Sequence, residues 1–99
     1  MGKGYQGETL AEAMRTTIGL LGNHGSAQDI FDKVRKMGAW TENNIWQGLM
    51  EFAVNLPPSY RHYQNTPLEK RFLLIREDGD YELYQPARHG IYENGRRVA

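Results

Sequence analysis

Two short amphipathic segments joined by a very tight turn most constrain the fold of this chain. The first runs from Ser26 to Met37, and the second begins at Thr41. Ser26 and Thr41 are good N-caps, and Gly38 can supply the left-handed conformation that ends a helix. Because so few residues separate the two predicted helices, they must cross at a steep angle.

A further helix is predicted before this pair, over Leu10 to Leu21. Thr9 and Glu12 have the spacing of a capping box, and Gly22 ends the pattern. Apolar residues at helical spacing predict the buried faces of the first two helices. In the first helix these apolar residues are Leu10, Met14, Ile18 and Leu21, and in the second they are Ala27, Ile30, Phe31, Val34 and Met37.

A β-hairpin is predicted after the third helix. The segments 71–77 and 81–84 flank Asp78-Gly79-Asp80, which is a strong turn signal. Alternation should place Phe72, Leu74 or their neighbours against the helices, with Leu83 matched on the returning strand. The predicted tip is acidic, because it carries Glu77, Asp78 and Asp80.

Three helices followed by a two-stranded ribbon predict an α+β winged helix-turn-helix. We expect residues 9–86 to form this domain. Residues 1–8 should be a flexible N-terminal segment, and residues 87–99 a partly ordered C-terminal extension. The architecture presents one helix and one hairpin on the same side of a small body, which suits a DNA groove and its flanking phosphates.

Charge and composition narrow the classes of function. Twelve basic and twelve acidic residues give a formal net charge of +0, so any DNA binding must use a local basic patch. With 0 cysteines the chain has no disulfide framework. No apolar run is long enough to span a bilayer, and the first residues lack the apolar stretch of a signal peptide. We therefore expect a soluble, cytoplasmic protein without membrane contact.

The third predicted helix carries the functional hypothesis. Its inner stripe is formed by Ile45, Leu49, Phe52 and Ala53, widened by Trp46 and Met50. The opposite face is predicted to hold Asn44, Gln47, Gly48 and Glu51, with Asn43 near its edge. Asn and Gln can contact the major-groove edge of adenine through a donor and an acceptor together. Glycine in an exposed helix costs roughly 1 kcal/mol relative to alanine, which favours close approach of another surface at Gly48.

A simpler interpretation of the same helix stays open. Asn44, Gln47 and Glu51 are then ordinary solvated positions, and Gly48 merely admits a neighbouring side chain. The helix also contains no Lys or Arg, and Glu42 and Glu51 would repel phosphate.

Phosphate anchoring must then come from other segments. Arg61, His62 and Tyr63 lie in the linker after Pro57-Pro58, where interleaved basic and aromatic residues suit backbone contact and stacking. An equally weighted alternative is that Tyr60 and Tyr63 seal the edge of the core while Arg61 is solvated. The remaining candidate phosphate contacts are Lys70, Arg71 and Arg76, and Thr41 completes the predicted DNA-binding set.

Several short segments together resemble a known group of domains. They are Thr41-Glu42-Asn43-Asn44-Ile45, Val54-Asn55-Leu56-Pro57, Arg61-His62-Tyr63, Gly79-Asp80-Tyr81-Glu82-Leu83-Tyr84 and Pro86-Ala87-Arg88-His89-Gly90. They resemble the small winged-helix domains found alone or attached to prokaryotic restriction endonucleases, similar in outline to HARE-HTH domains. The resemblance covers roughly residues 10 to 90. It implies a DNA-recognition module, a regulator or the recognition component of a prokaryotic or phage DNA-processing system.

Catalysis and cofactor binding are not predicted. His24, His62 and His89 lack metal-ligand spacing, and we see no nucleophile paired with a base and no Gly-rich phosphate loop. We therefore predict no catalytic residue, metal, cofactor or small-molecule substrate. The partner should be double-stranded DNA, and homodimerisation stays open. The alternative function is a winged helix that binds a protein partner without DNA affinity, through the aromatic residues Trp46, Tyr60, Tyr63, Tyr81 and Tyr84.

Overall fold

The computed structural model describes residues 4–56, 68–93 and 95–99. These residues form a small α+β domain with four helices and small antiparallel sheets. In chain order the elements are α1 (Leu10–Leu20), β1 (His24–Gly25), α2 (Ala27–Arg35), α3 (Glu42–Glu51), a 3-10 turn (Leu68–Lys70), β2 (Leu73–Ile75), β3 (Tyr81–Leu83), α4 (Pro86–His89), β4 (Tyr92–Glu93) and β5 (Arg96–Arg97).

The first three helices begin at the predicted capping residues. The hydroxyl oxygen of Thr9 accepts a hydrogen bond from the Glu12 amide at 3.2 Å, and the Thr9 amide donates to the Glu12 carboxylate at 2.8 Å. At α2 and α3, the hydroxyl oxygens of Ser26 and Thr41 accept hydrogen bonds from the Asp29 and Asn44 amides, at 3.0 and 3.2 Å. These contacts confirm the predicted helix starts, since each satisfies a backbone amide of the first turn.

Gly38, in the turn between α2 and α3, has a different role from the one its sequence position indicates. Gly38 does not adopt the predicted left-handed conformation. It is buried instead, and a Cβ atom there would lie 2.7 Å from the Trp40 ring and 2.8 Å from the Gly4 Cα. The described part of the predicted N-terminal segment lies against this turn, because the Tyr5 amide donates to the Met37 carbonyl at 2.7 Å. Glycine is therefore needed for close approach of two backbones and not for its φ angle.

A three-stranded sheet joins the hairpin to the first two helices. Its order is β1-β3-β2, with all neighbours antiparallel. The sequence pattern missed β1, which lies where only a helix stop was predicted. Asn23 has a φ of 67° and Gly22 a φ of 80°, and this reversal brings His24 opposite Glu82. Leu73 pairs with Leu83, which confirms the predicted match across the hairpin.

The core lies between the first three helices and the sheet. Side chains with at most 1% exposure include Met14, Ile18, Ile30, Val34, Ile45, Leu49 and Leu73. Trp46 widens the buried face of α3 by stacking on Phe31, with ring centroids 4.4 Å apart. The predicted inner stripes of the three helices are thus confirmed except at Met50, which is not among the residues packed against the core. The predicted stripe members that are only partly buried include Leu10, Leu21, Ala27, Met37 and Phe52.

Strand β2 is covered on more sides than simple alternation predicts. Phe72, Leu73 and Leu74 are all at most 9% exposed. The Leu73 amide donates to the Phe52 carbonyl at 2.9 Å, and the Val54 amide donates to the Leu73 carbonyl at 2.8 Å. The chain leaving α3 therefore runs along the outer edge of β2 and covers it.

The end of the chain packs on β3 through a cluster of aromatic and polar contacts. The Tyr84 ring stacks on His89 and meets Tyr92 edge-on, with centroids 6.1 and 5.8 Å apart. The Tyr84 hydroxyl donates to the Gly90 carbonyl. Gly90 has a φ of 90°, which favours glycine at the point where the chain turns from α4 toward β4. Within the described ranges, no helix combines the length and apolar character needed to cross a membrane.

Candidate nucleic-acid interface

The outer face of α3 carries the predicted amide side chains. Asn43 and Gln47 are exposed, and Asn44 is half-buried. Thr41 is exposed, although its hydroxyl oxygen already accepts the capping hydrogen bond from the Asn44 amide. The outer face of α3 thus presents two exposed amides, Asn43 and Gln47, about one turn apart, and a third, Asn44, at its edge.

The prediction that Gly48 lies on this exposed face is wrong. Gly48 is buried, and a Cβ atom there would lie 2.8 Å from the Met14 Cε and 3.3 Å from the Leu10 Cδ2. Gly48 follows Ile45 by three residues, so it is rotated by only about 60° from the buried stripe. Its missing side chain admits α1, as the simpler interpretation held, and it is not available to a DNA groove.

The predicted phosphate contacts differ in how accessible they are. Lys70 is exposed in the 3-10 turn. Arg71 is half-buried, and its Nη1 lies 3.5 Å from the Ala53 carbonyl oxygen. The Arg76 Nη2 lies 3.4 Å from an Asp78 carboxylate oxygen. Lys70 is therefore the most accessible of these three cations, since the other two already contact protein oxygens.

The predicted linker residues Arg61, His62 and Tyr63 lie outside the described residues. The same holds for Tyr60. Their proposed contacts with phosphate or bases stay a prediction from the sequence alone.

The hairpin tip is held by a hydrogen bond and an ion pair within the protein. His24 Nε2 lies 3.1 Å from an Asp80 carboxylate oxygen, and Arg76 lies beside Asp78. The Asp80 amide also donates to the Asp78 carboxylate at 3.0 Å. These groups are all substantially exposed, so each contact adds little stability. The Arg76 cation reduces the negative charge that the tip would present to a phosphate.

Two groups of charged residues were not included in the predicted site. Lys33, Arg35 and Lys36 are exposed at the end of α2, immediately before the turn into α3. Their outward positions in the helical pattern were the signal that could have placed them in an interface. A separate contact joins α4 to β3, where the Glu82 carboxylate lies 3.3 Å from Arg88 and 3.2 Å from His89.

The tautomer of His89 follows from its two contacts. Its Nδ1 accepts a hydrogen bond from the Gln85 amide at 3.0 Å, so this nitrogen carries no proton. The hydrogen on Nε2 is then donated to the Glu82 carboxylate. The pair fixes the short helix α4 against the sheet and serves structure.

The aromatic residues proposed for a protein interface are largely used inside the domain. Tyr81 is 7% exposed, and burial raises the pKa of its hydroxyl above the ordinary value of 10.0. Trp46 stacks on Phe31, and Tyr84 contacts His89 and Tyr92. These three side chains are therefore poor candidates for the surface of an exposed aromatic interface.

Comparison with known proteins adds no relative. A scan against protein-family models, a search of curated proteins and a search of solved structures each gave no significant match.

Proposed function

We propose that this domain is a winged helix that binds double-stranded DNA, with α3 as the recognition helix and the β2–β3 hairpin as the wing. The observation that carries the proposal is the exposed pair of amides, Asn43 and Gln47, on a helix whose other face is buried in the core. Such side chains on a rigid helix can read base edges in a major groove.

The order of elements supports the fold part of this proposal. A short turn joins α2 to α3, and β1, between α1 and α2 in the chain, pairs with β3 of the hairpin. This pairing ties the hairpin to the helical body. The hairpin can then flank the recognition helix as a wing, where it would contact the DNA backbone.

Anchoring is assigned to cations outside α3. Lys70 is exposed, Arg76 is partly neutralised by Asp78, and Arg61 lies in the linker between α3 and β2. Since the net charge is +0, binding must be local and weak for a single copy of the chain. A role in a prokaryotic or phage DNA-processing system belongs to the same proposal and rests on the resemblance in sequence.

Two substitutions separate base readout from anchoring. Gln47→Ala should weaken binding to the preferred duplex by about 1 to 3 kcal/mol and leave binding to random DNA unchanged. Arg61→Ala should weaken binding to both duplexes equally, because phosphate contacts carry no sequence information.

The experiment is a mobility shift with the purified chain, after selection of a preferred duplex from a random pool. Gln85→Ala is the matched control, since Gln85 is an exposed glutamine at the start of α4 and away from α3. If Gln47→Ala melts normally and binds the preferred duplex as tightly as the parent, α3 is not the reading surface. Failure of the parent to shift any duplex at low salt would favour the protein-binding alternative.

A further inference from the structure

The fold brings together three side chains of metal-ligating type that are far apart in the sequence. His24 lies on β1, while Asp78 and Asp80 belong to the turn between β2 and β3. One ligand atom from each residue lies within 4.8 Å of the others. The two aspartates alone would be an ordinary acidic turn. The imidazole from a different strand adds a nitrogen ligand that such turns lack.

The backbone positions of these residues are fixed by sheet and turn hydrogen bonds. His24 pairs with Glu82 in the antiparallel register, so Asp80, two residues before Glu82 on the same face, is a diagonal neighbour of His24. The Arg76 amide donates to the Asp80 carbonyl at 2.7 Å, and the Gly79 amide donates to the Arg76 carbonyl at 3.0 Å. Little backbone ordering would therefore be needed for the three side chains to share one ion.

The distances fit a small divalent ion after modest side-chain movement. Ligand atoms about 2.0 to 2.1 Å from a tetrahedral metal lie about 3.3 Å from one another. His24 Nε2 and the Asp80 oxygen are 3.1 Å apart, which is close to this value. The Asp78 side chain is 54% exposed and can rotate toward them.

We propose that His24, Asp78 and Asp80 bind a divalent ion of the zinc class, with water completing the coordination. One imidazole nitrogen and two carboxylate oxygens suit Zn²⁺ or Co²⁺ better than Mg²⁺ or Ca²⁺, which prefer oxygen ligands alone. His24 Nε2 must bind the ion without a proton, so the ring proton resides on Nδ1. In the metal-bound chain, the ion replaces Arg76 as the positively charged group in contact with the Asp78 carboxylate.

The test is calorimetric titration of the metal-free full chain with zinc chloride, with cobalt chloride absorbance as a second readout. The parent should bind one equivalent. His24→Gln and Asp80→Asn should each weaken binding at least about tenfold, because each removes a ligand. Magnesium chloride should bind far more weakly than zinc chloride.

Two control variants distinguish coordination from general attraction. Glu77→Gln removes a negative charge from the same turn, but Glu77 is not one of the three ligands. The zinc affinity of this variant should therefore stay within about threefold of that of the parent. His89→Gln removes a histidine that contacts Glu82 and should have no effect on affinity. Absence of saturable binding by the parent would overturn the proposal. The proposal would also be overturned if His24→Gln and Asp80→Asn both bound zinc as tightly as the parent. The thermal melt of each variant checks that it is folded.

Discussion

Gly48 and Gly19 are both helical glycines, but their surroundings differ. A Cβ atom at Gly48 would press on Met14, which is fully buried, whereas a Cβ atom at Gly19 would meet nothing within 4 Å. Gly19→Ala should therefore raise the free energy of unfolding by up to about 1 kcal/mol, through helix propensity alone. Gly48→Ala should gain less stability than this, because the buried Met14 side chain must shift to admit the methyl group.

A larger residue at Gly48 sharpens the contrast. Gly48→Glu should lower the free energy of unfolding by about 3 kcal/mol or more, since it places a carboxylate against Met14 in the core. Gly19→Glu should leave it within about 1 kcal/mol of the parent. Urea unfolding followed by circular dichroism measures both changes. A normal melt for Gly48→Glu would show that α1 and α3 do not pack as described.

Tyr81 links stability to alkaline pH. Burial raises the pKa of its hydroxyl in the folded chain, while the unfolded chain keeps the ordinary value near 10.0. Above that pH the unfolded state binds fewer protons than the folded state, so the free energy of unfolding falls as pH rises. The contribution is fully present below pH 10.0 and is lost as pH passes the raised pKa.

Tyr81→Phe should make the alkaline loss of stability shallower, because its side chain cannot ionise. Tyr5→Phe is the control, since Tyr5 is 73% exposed and should leave the slope unchanged. Thermal melts between about pH 8 and 11 measure the slope. Equal slopes for the parent and Tyr81→Phe would contradict the buried position of this hydroxyl.

At the scale of elements, α3 is held by its inner stripe. Leu49 is 1% exposed at the centre of that stripe. Leu49→Ala should cost roughly 2 to 5 kcal/mol in the free energy of unfolding, by lost burial and a residual cavity. Any loss of DNA binding in this variant would follow from unfolding. A thermal melt equal to that of the parent would show that Leu49 is not buried and that the position of α3 given above is wrong.

At Ile75, the outer edge of β2 is paired by a side chain instead of by backbone. The Asn55 amide nitrogen donates to the Ile75 carbonyl at 2.7 Å, and its carbonyl oxygen accepts from the Ile75 amide at 3.0 Å. Asn55 thus pairs with β2 as a neighbouring strand would. Asn55→Ala should cost about 1 to 3 kcal/mol, since it leaves two partly buried backbone groups without this partner. Asn43→Ala, at an exposed position, should change the free energy of unfolding by less than about 0.5 kcal/mol, and no difference between the two variants would refute this role.

The first three helices were predictable from sequence because their signals are local, whereas the short helix α4 was not predicted. Thr9, Ser26 and Thr41 cap them as predicted, and the apolar spacing identifies their buried faces. Strand β1 was not predictable, since its two residues form a strand only by pairing with β3, far along the chain. The cluster of His24 with Asp78 and Asp80 depends on that pairing and was hidden for the same reason.

At the scale of the whole molecule, balanced charge limits how any DNA is held. The exposed cations of the described surface include Lys33, Arg35, Lys36 and Lys70, and they are offset by acidic residues elsewhere. The amides of α3 supply hydrogen bonds without charge. Binding should then combine a small electrostatic component with specific contacts, in contrast to a strongly basic protein whose affinity is mostly non-specific.

The most direct measurement of the central claim is the salt dependence of binding to the selected duplex by the full chain. Fluorescence anisotropy from low to moderate salt should give a log–log slope of about −2.7 to −4.5, which corresponds to roughly 3 to 5 neutralised phosphates. Gln47→Ala should lower the affinity for the selected duplex at every salt concentration without changing this slope. Absence of binding to any duplex at the lowest salt would contradict the claim that this domain recognises DNA through α3.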